Sequence, residues 1–456
     1  MENVVKFLDE NRDFHLNQLI EFLKYESISS DPAYDDKTRL TANWLVEHLK
    51  STGFDNARLF ETEGHPIVYA EDLEAGNDKP TVLIYGHYDI QPVDPLDLWE
   101  TSPFEPTIRN GKLYARGSSD DKGQVFAHVK ALEALKKING KLPVNVKLLI
   151  EGEEEAGSNH LDDFIIKNTE LLKCDTILIS DTEWFADGMP SLCYSLRGIS
   201  YIEITVTGPN RDLHSGTYGG AVDNPITVLA NMISRLKDNY NRVTIPGFYD
   251  KVIPLTDEER KGFEELPFNY KEYCEDLDIA DGNGEFGYTT IERVWARPSL
   301  DINGIYGGYI GDGAKTVLPS KATAKISMRL VANQDPDEIT KLISDYLVKI
   351  APPTVKVNII PMHGGQPVYV SKDSSAVKAA TIAMEKAFGK KPVFMREGGS
   401  IPIVATFQSE LNAPSVLMGL GLPGDNIHSP NESFALENYF GGIKASAYFF
   451  DEFAKI

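Results

Sequence analysis

Short apolar runs that end abruptly in charge set the architecture open to this chain. TVLIY (81–85), VNVKLLI (144–150) and TILIS (176–180) are too short for core helices and are rich in β-branched residues. Between the first two, Val125, Val129, Leu132 and Leu135 recur every three or four residues and predict a helix from about Gly123 to Ile138. Runs that are apolar throughout read as strands buried on both faces. Alternating with helices, they predict an α/β fold whose mixed sheet is covered by helices on both faces.

At 456 residues the chain exceeds one ordinary core, and a second unit begins near Arg197. YIEITVTG (201–208) alternates like a strand with one wet face. DNPITVLANMISRLKD (223–238) follows as a helix, with Asn224 as N-cap and Pro225 at the first helical position. ATAKISMRLV (322–331), helical DPDEITKLISDYLVKI (335–350) and VKVNIIP (355–361) complete a small α+β sandwich. The stretch from about Ile245 to Pro298, rich in Tyr, Pro and Gly, reads as a long excursion within it. A helix over Ser375–Phe388 and the strand SVLMGLG (415–421) then resume the first unit, which gives expected boundaries of 1–196, 197–363 and 364–456.

Charge narrows the function classes. With 68 acids against 45 bases the formal charge is −23, which repels phosphate backbones and anionic membrane surfaces, so neither nucleic acid nor membrane is expected as a partner. Cys174, Cys193 and Cys274 are odd in number and form no CxxC pair, which argues against disulfide scaffolding and thiolate zinc and for a reducing, cytoplasmic compartment. The first 23 residues read as an amphipathic surface helix and not as a signal peptide. No apolar run approaches the ~18 residues of a membrane span.

The acids and histidines fall at particular places. TVLIY is followed by GHYD, KLYARG by SSDDKG, VKLLI by EGEEE and TILIS by DTE, while SVLMGLGLPGDNIHSP brings in His428. The carboxyl edge of an open α/β sheet is where ligands bind, so five segments would deliver ligand side chains to one crevice. Two His and at least three acids, without thiolate, suit zinc, manganese or cobalt. That is more donors than one tetrahedral ion takes, and two ions sharing a carboxylate account for the excess. Singly, each residue has an ordinary structural reading: His87 as a buried histidine, Asp120 and Asp121 as helix caps, Asp181 as a turn former, His428 as an exposed loop residue.

GHYDIQP, ARGSSDDKGQ, EGEEEAGS, LISDTEW, DLHSGTYGG, MRLVANQDP, REGGSIPI and NIHSPNE, in this order over almost the whole chain, resemble the M20 family of dinuclear metallopeptidases, and in particular its carnosinase-like dipeptidase branch. The resemblance implies that His87 and Asp181 bind one metal and Glu155 and His428 the other, with Asp120 bridging both. It implies further that Glu154 is the general base, that Asp89 orients His87, that the Asp120–Asp121 peptide is cis, and that Glu151 and Glu153 are structural or peripheral. A water held between two divalent ions would then attack the scissile carbonyl of a short peptide, most directly a dipeptide. By the same resemblance the inserted unit is a lid and dimerisation domain. His214 would serve as an oxyanion donor, reaching the partner's active site in a homodimer. Arg329, on a strand, reads either as an outward arginine on a solvated face or as a bidentate clamp for a substrate carboxylate. Thr316, Arg396, Glu397 and Ser400 complete the implied substrate pocket, with Glu397 facing a free α-amino group. An N-acyl amino acid deacylase of the same family is the alternative enzyme. A non-catalytic metal-binding scaffold is the alternative class, and retention of Glu154 speaks against it.

Overall fold

The computed structural model describes residues 1–399 and 401–456, which form two compact units. Ser400 lies outside the described residues. The first unit comprises Met1–Tyr194, Val370–Met395 and Thr406–Ile456, and the second Ser195–Tyr369 with Arg396–Ala405. Arg396 and Glu397 therefore share a unit with His214, Thr316 and Arg329.

In the first unit the apolar runs form the strands Thr81–His87, Asn145–Glu151, Thr176–Ile179 and Ser415–Leu417. The sheet runs in the order Arg58–Phe60, Ile67–Asp72, Asn145–Glu151, Thr81–His87, Thr176–Ile179, Ser415–Leu417 and Ser191–Leu196. Its four central strands from Asn145–Glu151 to Ser415–Leu417 are parallel. Antiparallel strands flank them on both sides, so the sheet is mixed as expected. Two adjacent residues show why both faces are apolar. A Cβ on Gly86 would lie 2.7 Å from Val125 of the helix Lys122–Asn139, whereas Tyr85 points the opposite way and meets the Phe407 ring edge-on at 5.2 Å. Val82, Leu83 and Ile84 are wholly buried between these layers, each worth about 1.5–3 kcal/mol.

Two local expectations are corrected. The amphipathic N-terminus is two helices, Glu2–Glu10 and Arg12–Leu23. Asn11 breaks them: its side-chain amide donates to the Phe7 carbonyl at 2.8 Å, competing with the helix backbone. KLYARG does not end a strand of the main sheet. Lys112–Tyr114 is a three-residue strand in a separate small sheet, between Thr107–Arg109 and Ser433–Ala435. That pairing ties the residues just before Asp120 to the segment just after His428. Among the described residues no helix is long and apolar enough to cross a membrane.

The second unit is a four-stranded antiparallel sheet in the order Ser299–Gly307, Lys321–Leu330, Gly198–Thr207 and Lys356–Gly365. Strand alternation sends Ile202, Ile204 and Val206, with Ala324, Ile326 and Met328, into a core against Leu229, Ile343 and Leu347 of the helices Pro225–Ser234 and Pro336–Ile350. The first of these helices starts where expected, with Asn224 accepting the Ile226 N–H at 2.9 Å. The excursion is more ordered than its composition suggests. It holds the helices Asp257–Glu264, Tyr270–Asp276 and Thr290–Ala296, the first and last of them closed by capping boxes at Thr256/Glu259 and Thr289/Glu292.

Candidate metal centre

Asp120 sits in the loop that enters the helix Lys122–Asn139, and a buried carboxylate holds that loop in shape. Oε1 of Glu432 accepts the N–H groups of Ser119 at 2.9 Å and Asp120 at 3.1 Å, while Oε2 accepts Gly117 N–H at 2.9 Å and the Arg116 guanidinium at 2.7 Å. The Arg116–Glu432 pair is almost wholly buried, with both side chains 1% exposed. The Asp120–Asp121 peptide is cis.

The two oxygens of Asp120 face two different imidazoles. His87, at the end of its strand, places Nε2 3.1 Å from Oδ1, and His428 places Nε2 2.9 Å from Oδ2 and 3.3 Å from Glu155 Oε2. Donor atoms of His87, Asp120 and Asp181 lie within 4.8 Å of one another, as do those of Asp120, Glu155 and His428. Asp120 alone belongs to both groups. Nitrogen and carboxylate donors without sulfur fit zinc, manganese or cobalt, and two overlapping groups fit two ions.

Electrostatics agree with that fit. Burial, reinforced by Asp120, raises the Glu155 carboxyl to about 8. Burial and the neighbouring Asp121 and Asp120 push Asp181 well above the ordinary carboxylate range, and burial likewise raises Glu154. Asp120 is the exception: burial opposes its ionisation, but hydrogen bonds from His428 and His87 hold it below its usual value. Carboxylates thus crowd a largely buried site, with the buried His87 and the exposed His428 to balance them, which is an arrangement divalent cations relieve.

Asp89 organises both sides of the centre. His87 Nδ1 lies 3.1 Å from the Asp89 carbonyl oxygen and 3.3 Å from its carboxylate. That carboxylate also accepts Ser29 Oγ at 2.6 Å, Glu155 N–H at 3.0 Å and Glu154 N–H at 3.3 Å. One residue therefore orients a ligand and pins the turn Glu154–Ala156. Among the described residues no hydrogen bond engages the Glu154 carboxylate, whereas Glu155 accepts Gln91 Nε2 at 2.7 Å. The other two acids of the run are occupied elsewhere. Glu151, raised to about 8 by burial and then by Asp89, accepts Tyr85 and Ser158 hydroxyls at 2.6 and 2.9 Å, and Glu153 meets His160 at 2.8 Å. Glu432, Ser29 and Gln91 were not singled out from sequence. Glu432 lies inside the NIHSPNE stretch four residues beyond His428, and that position was its one signal.

In the second unit, His214 is exposed and pairs across strands with Val317, next to Thr316, whose carbonyl accepts Ser215 N–H at 3.0 Å. His214 Nδ1 accepts the Gly216 N–H at 3.1 Å, which in the neutral ring puts the proton on Nε2 as an outward donor. Arg329 stands opposite Ile199 and Ser299, on the half-buried sheet face away from the core. Arg396 pairs with Glu259, and Glu397 ends the strand Val393–Glu397.

The profile of Peptidase family M20/M25/M40 matches residues 83–452. The chain is 36% identical to the Cys-Gly metallodipeptidase DUG1 of Candida albicans, over 96% of this chain and 94% of that protein. It is 33% identical to the Beta-Ala-His dipeptidase of Homo sapiens, over 100% and 93%. Among solved structures, the M20 family metallo-carboxypeptidase Sso-CP2 from Sulfolobus solfataricus superposes with a TM-score of 0.84 at 37% identity, covering 97% of this chain and 99% of that one. Human carnosine dipeptidase 1 does so with 0.78 at 32%, covering 100% and 99%.

Proposed function

Because the chain belongs to Peptidase family M20/M25/M40, we propose that the centre around Asp120 is dinuclear and hydrolyses the peptide bond of free dipeptides. The observation that carries this reading is the sharing of Asp120 between two donor groups, with an unengaged carboxylate, Glu154, beside them. His87 and Asp181 would hold one ion and Glu155 and His428 the other, with Asp120 common to both. Zinc is the ion proposed, and manganese or cobalt suits the same donors. Such ions polarise a carbonyl and acidify water. Glu154 takes a proton from the attacking water and returns it to the leaving amine, a role that needs a carboxylate free of other hydrogen bonds and raised toward neutrality, as burial raises this one. Asp89 keeps His87 oriented and the Glu154 turn in place.

Recognition of the substrate falls to the second unit. Arg329 binds the terminal carboxylate, Glu397 the free α-amino group, and Thr316 and Ser400 complete the pocket. Arg396, engaged with Glu259, supports that pocket through the segment it begins. His214, supplied by the partner in a cytoplasmic homodimer, donates Nε2–H to the oxyanion.

A panel of free dipeptides, Cys-Gly and β-Ala-His among them, run beside tripeptides and N-acetylated amino acids, tests the reading. Free dipeptides should give the highest kcat/KM. Preference for N-acetyl amino acids would make the protein a deacylase, and two bound ions without turnover of any substrate would make it a scaffold.

A further inference from the structure

Arg197 lies where the two ends of the proposed substrate are recognised, and neither end uses it directly. Its backbone N–H donates to the Gly399 carbonyl at 3.0 Å and its Nε to the Gly398 carbonyl at 3.2 Å. The contact is close: a Cβ on Gly398 would lie 3.3 Å from Arg197 Nη2 and 3.1 Å from Val294 of the helix Thr290–Ala296. Strand register brings the same arginine toward Arg329. Arg197 precedes Gly198–Thr207 by one residue, Ile199 pairs with Arg329, and alternation sends residues 197, 199 and 329 to the same sheet face. Burial and then the Arg329 charge lower the Arg197 guanidinium to about 10, which is consistent with two cations held near each other in a half-dry site. Holding them there has a cost, and the Gly398 carbonyl, with some help from Asp301, offsets it.

We propose that Arg197 is a positioning residue that fixes the spacing between Glu397 and Arg329, and so sets the substrate length that spans them. The inference rests on the roles given above to those two residues. A dipeptide presents its amine and carboxylate at one separation. A tripeptide presents them about 3.3–3.6 Å further apart, which a rigid Glu397–Gly399 segment refuses and a loosened one accepts.

The test uses the metal-loaded, full-length protein and compares a free dipeptide with the tripeptide that extends it by one glycine. Arg197→Met should raise KM for the dipeptide roughly ten- to thirtyfold, the scale of one lost hydrogen bond from a charged group, with kcat changed less than about threefold. The dipeptide-to-tripeptide ratio of kcat/KM should fall by at least tenfold, and Arg197→Lys, which keeps the charge and one donor, should recover most of it. A merely structural role would lower kcat/KM for both substrates in proportion and leave the ratio unchanged, and that result overturns the proposal. Arg329→Met and Glu397→Gln are run in parallel. If both raise KM for the dipeptide and Arg197→Met leaves the ratio intact, this inference alone fails. If neither raises KM, the pocket assignment itself is wrong.

Discussion

Replacing Glu432 with glutamine should unfold more than its single-atom change suggests. The carboxylate accepts four donors, two on each oxygen: Ser119 and Asp120 N–H on Oε1, Gly117 N–H and the Arg116 guanidinium on Oε2. A glutamine oxygen serves one pair, and its NH2 then opposes the other pair. If the oxygen keeps Ser119 and Asp120, the loss is one backbone bond left unsatisfied in a buried site, about 1–3 kcal/mol, and one bond to a charged group, about 1.5–3 kcal/mol. Removing one partner of a buried ion pair is independently worth about 3–5 kcal/mol. The two routes agree on roughly 3–5 kcal/mol. Urea unfolding of the metal-free variant against the metal-free parent reads it directly, as a shift in midpoint at constant slope. Because the same carboxylate shapes the loop that carries Asp120, metal affinity should fall as well. A loss of stability below about 1 kcal/mol, or unchanged metal affinity, would refute the role given to Glu432.

Three further outcomes follow from the geometry. Metal binding should release at least one proton per chain near pH 7, because burial and Asp120 raise Glu155 to about 8 and the ion displaces its proton. Below pH 8 the apparent affinity should fall about tenfold per pH unit for each proton displaced, measured by calorimetry in buffers of different ionisation enthalpy; no proton release would contradict it. Glu154→Gln should keep both ions and lose at least ~100-fold in kcat, whereas Glu155→Gln should lose metal too, as metal analysis beside turnover would show. His214→Ala should cost roughly 10²- to 10³-fold in kcat with metal content intact. Mixed with Glu154→Gln it should regain activity by forming one intact composite site, unless His214 serves its own chain.

The parts of this fold that announced themselves in sequence are those where periodicity and chemistry coincide. Val82–Tyr85 has no polar face, so it could only be a central strand, and the acids and histidine at the ends of such strands marked the crevice. Asn224 and Pro225 marked a helix start because cap chemistry is local. Two helices of the excursion were marked in the same way, by TDEE (256–259) and TTIE (289–292), but aromatic and Pro-rich surroundings hid the signal. Lys112–Tyr114 misled because a three-residue strand has too few positions to show which sheet it joins, and one of its two partners lies more than 300 residues away. Glu432 was invisible as a determinant for a similar reason. Its work is to satisfy backbone N–H groups, and a sequence does not display which backbone groups will be buried. The ligands were legible because metals require particular side chains, whereas the residues that hold them answer to the fold.

Whether two ions share Asp120 is decided by stepwise reloading of the metal-free protein, with bound ions counted while hydrolysis of a free dipeptide is followed in the same samples. Binding should saturate at two divalent ions per chain, turnover should appear mainly with the second, and Asp120→Asn should prevent full occupancy. Full activity at one ion per chain, with no second ion taken up at saturation, would contradict it.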